Sequence, residues 1–291
     1  MSSGVFADFI AGWVGGVLCT IVGYPFDTVK VRQQNFSASL FVATKETLKY
    51  EGILGFYRGI LSPLVAYGPS NSIFFGCHNI IMKLINGSHP GAPSRTRHKA
   101  TYLINVFFSG SLAGFVQAVI MCPVDLVKIA LQTNTRSSSV WVHNSNSIEY
   151  EGLTHAVRTI TKYQGLAGLY KGFVPMMYRD VPTSGVYLIV YESLLPDDRK
   201  WYQKIYAGGS AGIAAISVVL PVDVVKTRIQ ADDPVYPRYK GMRDCIKKIY
   251  EEEGYRIFWK GLPVITLRAF PANAVLFIGY EMTLDIFRAT R

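Results

Sequence analysis

The chain has 291 residues, 49% of them hydrophobic and 17% charged, with a formal net charge of +10 at neutral pH. Soluble domains carry about 25% charged residues, so a water-soluble enzyme is disfavoured, and the positive excess points to an anionic membrane surface or nucleic acid as neighbour. Cys19, Cys77, Cys122 and Cys245 lack CxxC spacing, which argues against a disulfide framework or a zinc site, and no metal or cofactor is expected.

Taken in chain order, charge-free stretches mark the predicted membrane spans, since a helix needs about 20 apolar residues to cross a bilayer. No Asp, Glu, Lys or Arg stands between Asp8 and Asp27, and none between Arg58 and Lys83. A Gly/Pro/Ser/Arg-rich linker, Gly87–Lys99, precedes a third charge-free stretch that lasts until Asp125. Ser/Asn-rich Asn134–Ser147 reads as a solvent-exposed insertion. Phe173–Leu195 is long and apolar but carries Arg179 and Asp180 near its middle. The stretch between Lys204 and Asp223 is again free of charge, and the mixed pattern of Met242–Glu253 predicts a short helix on the membrane surface. Leu262–Leu284, interrupted by Arg268, completes six predicted spans.

The spans are copies of one unit. Pro25-Phe-Asp27-Thr-Val-Lys30-Val-Arg32-Gln-Gln34 recurs from Pro123 as Pro-Val-Asp125-Leu-Val-Lys128-Ile-Ala130-Leu-Gln132. It recurs again from Pro221 as Pro-Val-Asp223-Val-Val-Lys226-Thr-Arg228-Ile-Gln230, so the step is 98 residues both times. Gly12, Gly110 and Gly208 match at that step, as do Gly16, Gly114 and Gly212, and such Gly-xxx-Gly pairs allow close helix approach. A second motif also occurs three times: Glu51-Gly52 before Tyr57-Arg58-Gly59, Gln164-Gly165 before Tyr170-Lys171-Gly172, and Glu253-Gly254 before Trp259-Lys260-Gly261. Repeats are therefore placed at 1–93, 94–197 and 198–291.

These paired triplicate motifs resemble the mitochondrial carrier family over nearly the whole chain. Ala11-Gly12-Trp13, Tyr178-Arg179-Asp180-Val-Pro182 and Arg268-Ala-Phe-Pro271 resemble the branch holding carnitine/acylcarnitine, ornithine and basic amino-acid carriers with solute carrier family 25 members 45, 47 and 48. The resemblance implies an all-α membrane protein: six transmembrane helices in three pseudo-symmetric repeats, with three short surface helices on the matrix side. It further implies a monomer in the mitochondrial inner membrane, both termini facing the intermembrane space, cardiolipin as lipid partner, a small-molecule metabolite as cargo and no nucleic acid.

Proline within a helix removes a hydrogen bond and bends the axis, so Pro25, Pro123 and Pro221 are expected to kink their helices and converge their lower ends. Just beyond each, Asp and Lys three residues apart share a face and need partners at membrane depth. The resemblance implies a matrix gate pairing Asp27 with Lys128, Asp125 with Lys226 and Asp223 with Lys30, braced by Gln34, Gln132 and Gln230. A static ionic knot is the alternative. Basic-Gly pairs at helix starts (Arg58-Gly59, Lys171-Gly172, Lys260-Gly261) suit phosphate, and the resemblance makes them cardiolipin sites. An outer gate facing the intermembrane space is implied at Tyr191-Glu192 and Tyr280-Glu281, weakened because Met82, Leu195 and Leu284 replace basic partners, while His78 reads as a packed neutral histidine. Ala130 and Gln164 depart from the signature together, as if one ion pair had been lost.

Counted from Gly59, Gly172 and Gly261, the seventh position is Ala66, Arg179 and Arg268 and the eighth is Tyr67, Asp180 and Ala269. That level lies about 10 Å along each helix, near mid-membrane. Charges there are expected to face an aqueous cavity and bind solute. Neighbouring helical residues point about 100° apart, which argues against Arg179 simply neutralising Asp180. An arginine fork suits a carboxylate, Asp180 an ammonium, and Tyr67 offers a face to a methylated cation, so a zwitterionic, amino-acid-like or carnitine-like solute is expected. A choline-like cation carrier and a non-transporting scaffold are the alternatives. Enzyme chemistry has no supporting motif.

Overall fold

The computed structural model describes residues 2–86, 99–134, 150–194 and 201–289, and every regular element among them is helical. The predicted linker, but for Lys99, and the predicted insertion, but for Asn134, lie outside the described residues. Six long helices alternate with three short ones: α1 (Ser2–Phe36), α2 (Leu40–Glu51), α3 (Leu61–Asn86), α4 (Lys99–Thr133), α5 (Leu153–Gln164), α6 (Phe173–Leu194), α7 (Trp201–Gln230), α8 (Met242–Glu253) and α9 (Leu262–Ala289). The long helices close a ring in which α3 packs on α4, α6 on α7, and α9 back on α1.

By length and composition, α1, α4, α7 and α9 are apolar enough to cross a membrane. Over its described residues α3, also an expected span, is less uniformly apolar. Its Asn71 and Ser72 line an internal cavity, and such inward polar residues lower the hydropathy of a helix that need not be apolar all round. The α6 span carries Arg179 and Asp180 for the same reason.

Each odd-numbered span continues through its proline, to Phe36, Thr133 and Gln230. Beyond it the chain turns into a short amphipathic helix that packs against the lower part of the same span. In the third repeat Cys245 and Ile249 of α8 close on Val225 and Ile229 of α7. Burial pushes the Cys245 thiol up to about 12. The Glu/Gln-Gly motif is a helix stop: Gly52, Gly165 and Gly254 have φ of 68°, 66° and 75°. Their N–H groups donate to Leu48, Thr161 and Tyr250 carbonyls. Side chains with a Cβ rarely adopt that left-handed conformation.

The Gly-xxx-Gly positions differ in how closely they are packed. Gly110 and Gly114 do admit close packing, of α6 on α4: a Cβ on Gly114 would lie 2.5 Å from Ser184 Oγ. Gly12 and Gly212 instead open onto free space. The α1–α9 contact is made through Gly15 and Gly279, where a Cβ on Gly15 would meet the Leu276 carbonyl oxygen at 2.5 Å. Spacing reveals that a small-residue face exists, not which neighbour it meets. Gly15→Ala is expected to destabilise by about 1–3 kcal/mol by forcing two backbones apart. Gly12→Ala should leave stability unchanged or slightly raised through helix propensity. Thermal unfolding of the two variants in detergent compares them directly.

Candidate functional site

The lower ends of α1, α4 and α7 meet in a layer of ion pairs between repeats. Lys128 Nζ lies 3.0 Å from Asp27, Lys226 Nζ 2.5 Å from Asp125, and Lys30 Nζ 2.7 Å from Asp223. Lys226 and Asp223 are almost wholly buried, so removing either partner would strand an uncompensated charge at about 3–5 kcal/mol. Lys128 also stands 5.2 Å from the ring centroid of Tyr24, whose hydroxyl donates to the Arg58 carbonyl.

The glutamines divide. Gln34 Nε2 donates to Asp223 at 3.1 Å and its Oε1 accepts from Thr227, beneath the Lys30–Asp223 pair. Gln132 donates to Thr28 rather than to an aspartate. Gln230 is buried with neither amide atom hydrogen-bonded, so it braces no pair. Its side chain fills the space beside Gly172, which a Cβ would contest at 2.7 Å.

Arg179 and Arg268 join this layer while staying partly exposed, at 21% and 37%. The Arg179 guanidinium reaches three carboxylates: Asp180 at 2.5 Å, Asp223 at 3.1 Å and Asp125 at 3.6 Å. The two do pair, although the angle between neighbouring helical residues was expected to make that awkward, because the long arginine stem folds along the helix and offsets the angle between Cβ vectors. Arg268 Nε lies 2.9 Å from Asp27 Oδ1, a charge contact whose N–H is not aligned as a hydrogen bond. Gly23 makes room for it: a Cβ there would lie 2.8 Å from Arg268 Nε. Five cations (Lys30, Lys128, Lys226, Arg179, Arg268) thus face four carboxylates (Asp27, Asp125, Asp180, Asp223). Ala66 stands at the same level on α3, half-buried, and the Tyr67 side chain lies outside the described residues.

On the far side of this layer from the short helices opens a cavity of about 710 Å³. Thr183, one turn beyond Arg179 on α6, is among its lining residues, as are Asn71, Gln117, Asn273 and Trp13. Sequence reasoning did not single these out, since neutral polar side chains on an apolar helix carry no motif. The repeat register from Gly59, Gly172 and Gly261 could have found Asn71 and Asn273. Tyr191 also lines the cavity, stacked on Tyr187 with centroids 6.0 Å apart. The side chain of Glu192 lies outside the described residues, and Glu281 is exposed. His78 Nδ1 shares a 2.9 Å hydrogen bond with Ser109.

A second tier of links lies below the layer. Arg32 bonds Glu51 at 2.8 Å and Thr47 at 2.7 Å within its own repeat, and the Gln132 carbonyl across the seam. Arg228 likewise holds Glu253 and reaches the Gln34 carbonyl at 2.8 Å. In the second repeat Ala130 is packed in an apolar cluster with Tyr150 and Ala156, and Gln164 donates to the Pro234 carbonyl. The basic residues of the Arg/Lys-Gly motif make contacts within the protein. Arg58 donates to the Asn134 carbonyl, Lys171 pairs with Asp232 at 3.1 Å, and Lys260 donates to the Ser37 carbonyl.

Burial alone would raise the Glu253 carboxyl. Hydrogen bonds from Arg228 and Ser37, with the Arg228 and Lys260 charges, outweigh it and hold Glu253 below its usual range. The folded state therefore binds this proton less tightly than the unfolded chain. The stabilisation is complete above the ordinary glutamate value of about 4.3 and is lost as pH falls below it. Glu253→Gln should lower the melting temperature near neutral pH and flatten its fall between roughly pH 5 and 3 relative to the parent, as read by scanning fluorimetry.

Comparison with known proteins places these features. The sequence pattern of the family described as mitochondrial carrier protein matches residues 2–89, 99–195 and 197–290. The chain is 36% identical to solute carrier family 25 member 48 of Mus musculus, covering 99% of this chain and 97% of that protein. It is 34% identical to member 45 of Mus musculus, covering 97% and 99%. It is 36% identical to the mitochondrial basic amino acids transporter of Bos taurus, covering 97% and 92%.

Proposed function

The chain belongs to the mitochondrial carrier family, and we propose that it moves a small solute bearing both a carboxylate and a cationic group across the inner membrane by alternating access. The observation that carries this reading is the engagement of Arg179 and Arg268 with the aspartates of the inter-repeat layer. Among the described residues, five cations against four carboxylates leave the layer one negative charge short. A solute carboxylate entering the cavity supplies that charge and competes for both guanidiniums, which bind carboxylates through two parallel hydrogen bonds. Drawing Arg179 away from Asp125 and Asp223, and Arg268 from Asp27, loosens the three Asp–Lys pairs, which act as the matrix gate. A cation without a carboxylate has no such purchase, which disfavours the choline-like alternative.

Other parts of the reading follow from the same family membership. The carrier works as a monomer with both termini toward the intermembrane space. The outer closure uses Tyr191 and Tyr280 with Glu192 and Glu281. Cardiolipin phosphates sit at the N-termini of α3, α6 and α9, received by backbone N–H groups beside Gly59, Gly172 and Gly261 rather than by Arg58, Lys171 and Lys260.

Purified protein in liposomes is expected to take up labelled amino-acid-like zwitterions. Arg179→Ala and Arg268→Ala should each raise the half-saturating concentration about 10–100-fold, the worth of one or two charge-assisted hydrogen bonds, while circular dichroism stays helical. Normal uptake by both variants would overturn the reading.

A further inference from the structure

One motif builds all three seams between repeats, yet they are not braced alike. At the first-to-second seam Arg32 donates to the Gln132 carbonyl, the Gln132 amide donates to Thr28, and the Tyr24 ring lies against Lys128. At the third-to-first seam Arg228 donates to the Gln34 carbonyl, and Gln34 bonds both Asp223 and Thr227. Among the described residues the second-to-third seam repeats none of these supports. Ala130 stands in place of the arginine, and Cys122 stands one repeat step from Tyr24. Gln230 is 2% exposed with neither amide atom hydrogen-bonded. The repeat register explains why: Thr28 and Thr227, which meet the other two glutamines, correspond in the second repeat to Leu126 and Ile129. At the centre of this seam stands the Lys226–Asp125 pair, and Arg179 shares its aspartate.

The rim of the same seam is built differently. Arg58 and Lys260 reach into the next repeat at the carbonyls of Asn134 and Ser37. Lys171 reaches both the carbonyl of Asp232, at 3.3 Å, and its carboxylate, at 3.1 Å. That carboxylate is fixed from behind by the Arg238 and Tyr239 N–H groups, and Lys248 of α8 donates to the Arg238 carbonyl at 2.7 Å. A pull on α8 is thereby transmitted to Lys171. A buried amide with no partner disfavours the closed arrangement, because parting lets water hydrate it. The other two seams lose bonded glutamines when they part, whereas this one gains a solvated amide. We infer that the closed layer parts first between the second and third repeats, and that Lys171–Asp232 is the latch that holds this seam until it does. The order of opening is independent of which solute the carrier moves.

Lys45, Arg158 and Lys247 are exposed, each seven residues before the glycine that stops its short helix, so labels there give one distance for each pair of repeats. Spin labels on paired cysteine substitutions, with Cys19 and Cys77 changed to Ser, are read by double electron–electron resonance in nanodiscs of one fixed lipid composition. The Arg158→Cys and Lys247→Cys pair is expected to give the broadest distribution. Lys171→Gln should lengthen that distance, while Arg58→Gln and Lys260→Gln shift their own pairs less. Ile129→Thr returns a hydroxyl to Gln230, so it should narrow the distribution and raise the melting temperature by about 2–4 °C. A hydroxyl added to an apolar core ordinarily lowers stability, which makes the sign diagnostic. Should Ile129→Thr not fold, Ala130→Arg with Gln164→Glu copies the support of the first and third repeats and should narrow the same distribution. Equal breadth in the three pairs, a larger response to Arg58→Gln or Lys260→Gln than to Lys171→Gln, or no narrowing in either bracing variant would each overturn the inference.

Discussion

Charges held inside an apolar bundle set the terms for everything else in this molecule. Three Asp–Lys pairs join each repeat to the next, and the desolvation they suffer is offset only while every partner is in place. A purely adhesive interface would be better made from packed side chains of the same volume. Ion pairs have another property: a competing charge of the right sign can dissolve them. Arg179 lies against Asp125 and Asp223 and Arg268 against Asp27, within about a turn and a half of the cavity, so the layer is within reach of whatever enters.

Much of this was legible before any coordinates. The 98-residue step fixed three units, the charge-free stretches and the interrupted segments fixed six helices, and the triplicate Pro-x-Asp-x-x-Lys motif brought out the charges that meet at the helix ends. Met242–Glu253 was read as a short helix and is one, residue for residue. What stayed hidden depends on direction rather than spacing. Gly12 and Gly212 face open space while Gly15 takes the close contact, because a three-residue interval is equally good on several helix faces. Arg179 was expected at a solute site, and spacing gave no sign that its long stem reaches down to Asp223. Trp13 carried no signal, since an aromatic residue on an apolar helix is ordinarily packing.

Symmetry in the sequence does not mean symmetry in strength. Arg32 and Arg228 each reach a carbonyl of the adjoining repeat, whereas Ala130 cannot. Gln34 supports its aspartate and Gln230 supports none. At that second-to-third seam Lys171 and Gln164 instead hold the turn after α7 through Asp232 and the Pro234 carbonyl, with Asp232 also receiving backbone N–H groups of Arg238 and Tyr239. The same interface is thus secured from its periphery where the others are secured from their centre.

The chain passes directly from the first unit to the second and from the second to the third, but nothing covalent joins the third to the first. That junction is where Gly15 and Gly279 bring two backbones together. There Ser37, at φ 55°, is gripped by Arg228, Glu253 and Lys260 at once. Closure of the circle is therefore a folding event that can occur only after the final helix has been made. Until then the early units present a half-built vestibule with an open flank, and a nascent polypeptide in that state depends on its surroundings to shield the polar residues that will later face inward.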